Sequence, residues 1–181
     1  MNYQNYTFTE DTPKEDSMLL QLDNIPKPVL VNCRDIIRIK SKTWRLSKAH
    51  GELTGTIQTS YFDNRRPVNI TNFIFKDYTY GHIYDHKDRD IFNITRENLR
   101  LCDNRKNQFN KAKQKGIYSS RFKGVSFKKD IKKWRARIQI DGIEISLGYF
   151  KLEIEAALAY DKAALKYFGE FACTNKMLGL L

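Results

Sequence analysis

The sequence predicts an α+β protein: a β-rich N-terminal region, a polar middle stretch that carries the chemistry, and a three-stranded antiparallel sheet packed on one helix. Three observations carry this expectation. Short apolar runs broken by turn residues fill the first part of the chain, two alternating runs flank an Asp-Gly pair near the C-terminal end, and a helical apolar pattern follows them. With 181 residues, the chain is expected to hold two or three small units. Hydrophobic residues make up 41% and aromatics 13%, with Trp44, Phe73, Trp134 and Phe168 spread along the chain, enough to bury cores rather than stay disordered.

Taken in order, residues 1–18 are a polar, acidic tail. Residues 19–75 show short strands at 29–31, 53–59 and 68–70 around a helical stretch at 34–40, and all four prolines fall at or before Pro67. Residues 111–120 form the clearest linker, because they hold Gly116, two serines and almost no apolar side chain. A strand at 123–128 follows. Trp134, Ala136, Ile138 and Ile140 then alternate with Arg135, Arg137 and Gln139, so one strand face is apolar and the other presents two guanidinium groups. Asp141-Gly142 is a tight hairpin signal, and Ile143, Ile145, Leu147 and Tyr149 form the apolar side of the returning strand. Past Phe150, the residues Ile154, Ala157, Leu158, Ala164, Leu165 and Phe168 fall on or near one helical face. Alanines at 156, 157, 159, 163 and 164 let that helix lie close on the sheet, and Gly169 is placed to end it.

Charge narrows the partners. The net charge is +11, and thirteen Lys or Arg between residues 105 and 137 stand against one acid, Asp130, a local balance of +12 that leaves −1 for the other 148 residues. Such a stripe is either a solvated face or a surface that displaces counterions from a phosphate backbone, which makes nucleic acid the leading partner. Charge alone does not separate DNA from RNA or from an acidic membrane. No run approaches the roughly 18 apolar residues of a membrane span, and the start of the chain lacks the basic-then-apolar order of a secretory signal. The expectation is a soluble, intracellular, non-secreted protein with no membrane partner. Cys33, Cys102 and Cys173 are far apart and form no CxxC pair, which argues against a zinc ribbon or a disulfide framework and for buried thiols in a reducing compartment.

The C-terminal residues resemble a known family. Ser120-Arg121-Phe122-Lys123-Gly124-Val125, Lys133-Trp134-Arg135-Ala136-Arg137-Ile138, Leu147-Gly148-Tyr149-Phe150 and the helix with Glu155-Ala156-Ala157, Ala159-Tyr160-Asp161 and Ala163-Ala164 look like an AP2 DNA-binding domain over residues 119–175. In that family the sheet face reads DNA, so the resemblance makes Lys123, Lys128, Arg135 and Arg137 candidate contacts. Ser126 and Ser146 stand where plant members carry an Arg and a Trp that face DNA, so their sequence preference does not transfer. Trp134 lies on the apolar side of its strand and is expected in the core. Without the resemblance, a basic sheet equally suits an RNA or ribosome module.

The middle stretch holds Tyr84-Asp85-His86-Lys87-Asp88-Arg89-Asp90, then Asn93, Glu97-Asn98-Leu99-Arg100, and Asn107-Gln108 with Asn110 in a helix-like basic segment that Asp103 is placed to cap. An isolated Asp-His pair is more often a turn than a site. The ordered set resembles an HNH nuclease motif over residues 69–110, within a β-rich and nuclease region at 19–115. The resemblance implies a ββα-metal unit, and the order HNH then AP2 is similar to homing endonucleases of phage and mobile introns.

Cleaving a phosphodiester needs a base for water, a cation for the charge that builds on the phosphate, and anchors that hold the strand. By resemblance, His86 is the general base and Asn98 braces the loop that carries it. Asp85 and the side-chain oxygen of Asn107 are the implied ligands of a single Mg²⁺ or Mn²⁺, hard cations that suit oxygen donors. Arg100 and Arg105 are either phosphate clamps or plain surface charge. Arg89 occupies a turn position where relatives carry Gly, awkward if the backbone there needs positive φ. Residues 69–74 offer Thr71 and Asn72 in the strand where many phage relatives place a His. His50 and His82 have no partner pattern and are expected in loops or at the surface.

The expectation is therefore a metal-dependent endonuclease acting on double-stranded DNA, monomeric, with no organic cofactor. The rival is a DNA-binding transcription regulator that kept the scaffold and lost cleavage, and a third reading is an RNA-binding protein.

Overall fold

The computed structural model describes residues 16–47, 55–59, 67–76, 83–113 and 116–181. The tail up to residue 15, the start of the 53–59 strand, and His50 and His82 lie outside them. The architecture is α+β, with small antiparallel sheets and few helices, and the chain divides into two compact units, Met1–Leu101 and Cys102–Leu181.

In the first unit, β1 (Ser17–Leu20) pairs antiparallel with β2 (Val29–Asn32), and a 3₁₀ turn at Cys33–Asp35 leads into α1 (Ile36–Lys40). β3 (Trp44–Leu46) pairs antiparallel with β4 (Ile57–Thr59), and α2 (Ile70–Phe75) follows. The strand expected at 68–70 is a correction: only Asn69 makes an isolated bridge, to Gln58, and Ile70 already begins the helix. Ile70, Phe73 and Ile74 stand at i, i+3 and i+4 and are all buried, so burial of one helical stripe outweighs the strand propensity of this β-branched and aromatic run. Trp44 lies edge-on to Phe73 with centroids 5.3 Å apart, and its indole N–H donates to the Ile39 carbonyl at 2.8 Å. Val29, Val31, Ile39 and Ile94 are among the most deeply buried residues of this core. Cys33 is exposed, contrary to the expectation of three buried thiols, because it sits in the turn that leaves β2; Cys102 and Cys173 are buried.

β5 (Ile83–His86) and β6 (Leu99–Cys102) form a two-stranded sheet. The loop between them is anchored to β2: the Leu30 N–H donates to Phe92 at 2.7 Å and the Ile94 N–H to Leu30 at 2.9 Å. Arg96 adds a two-pronged contact to buried Asp35 at 2.9 and 2.8 Å, and its backbone N–H donates to Asn32 Oδ1 at 2.8 Å.

The second unit contains α3 (Asn104–Phe109), capped by Asp103, whose carboxylate accepts from the Lys106 N–H at 2.7 Å. Phe109 at its end stacks on Phe168 with centroids 4.0 Å apart. β7 (Val125–Lys128), β8 (Lys133–Ile140) and β9 (Ile143–Phe150) form an antiparallel sheet in that order, backed by α4 (Glu153–Phe168). The β8–β9 turn has Asp141 at φ 55° and Gly142 at φ 80°, the left-handed pair that an Asp-Gly hairpin requires.

Two details of this unit depart from the alternation. A β-bulge lies opposite Ala136/Arg137, where β9 passes from Ser146, paired with Arg137, to Gly148, paired with Ala136. The extra residue reverses the inward and outward order, so Tyr149 leaves the apolar face and stands exposed opposite Arg135, while Phe150 turns toward the core. On α4 the buried face is made by Ala156, Ala157, Tyr160, Ala163, Ala164 and Phe168, whereas Ile154, Leu158 and Leu165 are exposed. The small alanines admit the sheet closely and so select the face that packs. Gly124, at φ 76°, is required there: a Cβ would meet the Tyr160 ring at 2.0 Å.

Candidate active site and nucleic-acid interface

The sequence supplies a compact polar loop behind His86. Asn98 is buried, its side-chain oxygen accepts from the Asp88 N–H at 3.1 Å, and its amide donates to Asp88 Oδ1 at 2.8 Å and to the Asn93 carbonyl at 2.7 Å. Its carbonyl accepts from the Lys87 N–H at 2.9 Å. Asn93 in turn donates to the other Asp88 oxygen at 2.6 Å. One asparagine thus fixes the backbone on both sides of the turn that follows His86. Asp90 closes the far end by accepting from the Phe92 N–H at 3.0 Å.

His86 is the last residue of β5, half-buried, with its Nε2 shielded from solvent. Burial pushes the imidazole below its ordinary value of 6.5, against the opposing pull of Asp88, Asp85 and Asp90. Burial thereby favours the neutral form of the ring, the form that accepts a proton.

The turn residue Arg89 donates its N–H to the His86 carbonyl at 2.9 Å and sits at φ 67°. This is the left-handed region that favours Gly. Arg89→Gly is therefore expected to raise the stability of the first unit by about 1 kcal/mol, the relieved strain exceeding the added chain entropy. A higher urea midpoint with an unchanged slope is the measurement that checks it.

Asp85 is buried beside His86 on β5, and its Oδ2 accepts two bonds from Arg100 of β6, from Nε at 2.9 Å and Nη2 at 2.7 Å. With side-chain exposures of 10% and 7%, this pair is a buried one rather than surface charge. The pairing was not legible in the motif, which placed Arg100 on phosphate or on the surface; the signal was that Asp85 and Arg100 stand on strands that the loop brings together. Asn107 stands on α3, half-buried, in the second unit. Among the described residues, no three or more His, Cys, Asp or Glu converge as a metal cage. Asp85 in the first unit and Asn107 in the second are each hard oxygen donors, of the type that Mg²⁺ or Mn²⁺ takes. A cation at Asp85 competes with the Arg100 guanidinium.

In the second unit, the outer face of the sheet carries cross-strand rows: Lys128 pairs with Lys133, Ser126 with Arg135 and Tyr149, and Arg137 with Ser146. Arg135 and Arg137 both donate to Glu144 of β9. The two arginines and the carboxylate form a surface cluster whose strongest influence on Glu144 is Arg137, which holds its carboxyl below the ordinary range. Arg105 pairs with Asp141 at the hairpin tip. Arg105, Arg137, Gln139, Asp141 and Glu144 border a groove of about 510 Å³.

Lys123 borders the same groove but precedes the first strand of the sheet. Its ammonium donates to the carbonyls of Phe109 at 3.1 Å and Lys111 at 2.6 Å, which ties the chain after α3 to the start of β7. Of the four expected contacts, Lys128, Arg135 and Arg137 share the sheet face. Tyr149 joins them there and was missed, although Gly148 within a strand pattern is a bulge signal.

No helix among the described residues is long and apolar enough to cross a membrane. By sequence the chain is similar to an uncharacterized HNH endonuclease of Acanthamoeba polyphaga mimivirus, 37% identical over 93 residues that cover 51% of this chain and 46% of that protein. It is also similar to APETALA2-like protein 2 of Oryza sativa, in both the indica and japonica subspecies, 48% identical over 59 residues covering 32% of this chain and 13% of the rice protein. The chain thus spans about half the length of the viral relative and a small part of the rice proteins. No family model matches the chain, and no solved structure does.

Proposed function

We propose that this chain is a metal-dependent DNA endonuclease of the HNH type, with an HNH portion around residues 69–110 and an AP2-like module at 119–175 that grips duplex DNA through its basic sheet face. The observation that carries the reading is the Asn98 brace: a buried asparagine holding the loop behind a neutral histidine, next to an aspartate, is the arrangement that activation of a water requires. The similarity to a viral protein named an HNH endonuclease and to plant APETALA2-like proteins supports the two halves of the reading.

In this reading, His86 takes a proton from water as the water oxygen attacks phosphorus, and the bond to the leaving sugar oxygen breaks. Asn98 is a positioning residue that keeps the His86 loop in place. Asp85 and Asn107 would hold Mg²⁺ or Mn²⁺, which when bound supplies charge neutralisation at the phosphate. The motif order alone assigns Asn107. Arg100 is committed to buried Asp85 and so orients that carboxylate, whereas Arg105, exposed and bound to Asp141 through one nitrogen only, keeps donors for a phosphate. Lys128, Arg135 and Arg137 are the sheet's phosphate and base contacts.

The test is incubation of supercoiled plasmid and of genomic DNA with the protein in Mg²⁺, Mn²⁺ or EDTA. Genomic DNA covers a rare target that a plasmid lacks. Nicks or breaks with metal and none in EDTA are expected. Tight duplex binding with no scission of either DNA in any metal would falsify the nuclease and leave the non-catalytic DNA-binding regulator, while preference for RNA in a competition shift would point to the RNA reading.

A further inference from the structure

We propose that Glu144 is a specificity-determining residue, a carboxylate that holds Arg135 and Arg137 off non-specific phosphates and releases them on sites that offer it a base amino group. The inference rests on the reading of the sheet as the DNA face and goes beyond it, because it assigns a role to the one acid among these arginines. Glu144 is on the outer face opposite Gln139, and both guanidinium groups donate to it, Arg135 to one carboxylate oxygen and Arg137 to the other. The three side chains remain accessible, at 19% for Arg135, 50% for Arg137 and 38% for Glu144, so the cluster can exchange partners without unfolding anything. Asp141 holds Arg105 at the same hairpin, so both acids of the turn region oppose arginines.

The physics is a competition. On duplex of arbitrary sequence the arginines can gain phosphates only by giving up Glu144, which is then left against a polyanion. A carboxylate carries no donor, so phosphate oxygens give it no compensation. The major-groove edge does: the N4 amino group of cytosine and the N6 amino group of adenine donate outward, and a Glu accepts from such groups. A site that presents an amino group at the Glu144 position satisfies the carboxylate and frees both arginines at once. Sequences without it keep the penalty. The carboxylate therefore lowers non-specific affinity more than specific affinity.

Glu144→Gln in the full chain tests this, with fluorescence-anisotropy binding to a random-sequence duplex across a salt series and rounds of selection from a random duplex library. The substitution removes one negative charge from the face, so the salt dependence of random-duplex binding is expected to steepen by about 0.9 in log–log slope, an extra gain of about eightfold over the unaltered protein for each tenfold drop in salt. The library selected by the variant should change its base preference at one or two positions that the unaltered protein fixes, since Gln both donates and accepts. A random-duplex affinity equal to or weaker than that of the unaltered protein overturns the inference. Arg135→Gln/Arg137→Gln is the companion: if that double variant binds the duplex selected by the unaltered protein as tightly as the unaltered chain does, the sheet-face reading itself has failed. If the double variant weakens binding to the selected duplex while Glu144→Gln does not strengthen binding to the random one, only the role of Glu144 is lost.

Discussion

If the proposed endonuclease reading holds, His86→Ala is expected to lower the rate of metal-dependent DNA scission by about 10²–10⁴-fold while duplex affinity stays within a factor of two or so, since a positioned base contributes on that order to a proton transfer and the basic sheet lies elsewhere in the chain. The expectation follows from what the side chain does and does not hold up. The turn behind it is held by bonds among Asn98, Asp88 and Asn93 in which the imidazole is neither donor nor acceptor. Its pH dependence follows from burial. Because the imidazole is pushed below 6.5, the basic form is present at neutral pH, and the rate of the unaltered protein should be level there and fall only on acidification beyond the ordinary histidine range. A rate that instead drops between pH 8 and 7 would assign the base elsewhere. Gel-resolved cleavage at several pH values, beside anisotropy binding of the same variant, separates loss of chemistry from loss of grip.

What the sequence makes legible here is local. The Asp-Gly turn, the basic strand and its apolar reverse side, the Asp103 cap and the terminating Gly169 each depend on a few neighbouring residues, and each appears where expected. The missed features depend on partners far along the chain. Ile70-Thr71-Asn72-Phe73-Ile74-Phe75 has the composition of a strand, and only the core that receives Ile70, Phe73 and Ile74 makes it a helix. Leu158 and Leu165 look like core by hydrophobicity, yet the sheet takes the alanine face because closeness of approach, not side-chain size, decides there. Tyr149 changed faces through a single extra residue at the bulge. In the candidate site the motif gave the identity and order of Asp85, His86 and Asn98, while the Arg100 guanidinium on Asp85 and the Glu144 clasp on two arginines are pairings between strands that no local pattern encodes.

The second large effect lies in the fold of the C-terminal unit, Cys102–Leu181. Asp161→Ala is expected to cost about 3 kcal/mol or more, because it strips a buried carboxylate from three donors and leaves them in a closed environment. Asp161 accepts from the Asn175 N–H at 2.7 Å, from the Asn175 amide at 2.9 Å and from the Lys176 N–H at 3.0 Å. Asn175, fully buried, passes the connection on: its side-chain oxygen accepts from the Lys123 N–H at 2.7 Å. The pair therefore joins α4, the C-terminal segment and the residues that open β7, three parts of the chain that share no ladder. Asp161→Asn keeps one acceptor oxygen but turns an amide toward donors, so it should fall between the unaltered protein and Asp161→Ala. A small unit has on the order of 0.05–0.15 kcal/mol of stability per residue, so a loss of this size removes a large share of it. Urea unfolding of the full chain, with hydrogen exchange read on peptides from α4 and β7, measures the cost where it arises. A shift below about 1 kcal/mol would mean that water or a neighbouring carbonyl satisfies the three donors when the carboxylate is gone, and that the buried bonds, though well formed, are replaceable.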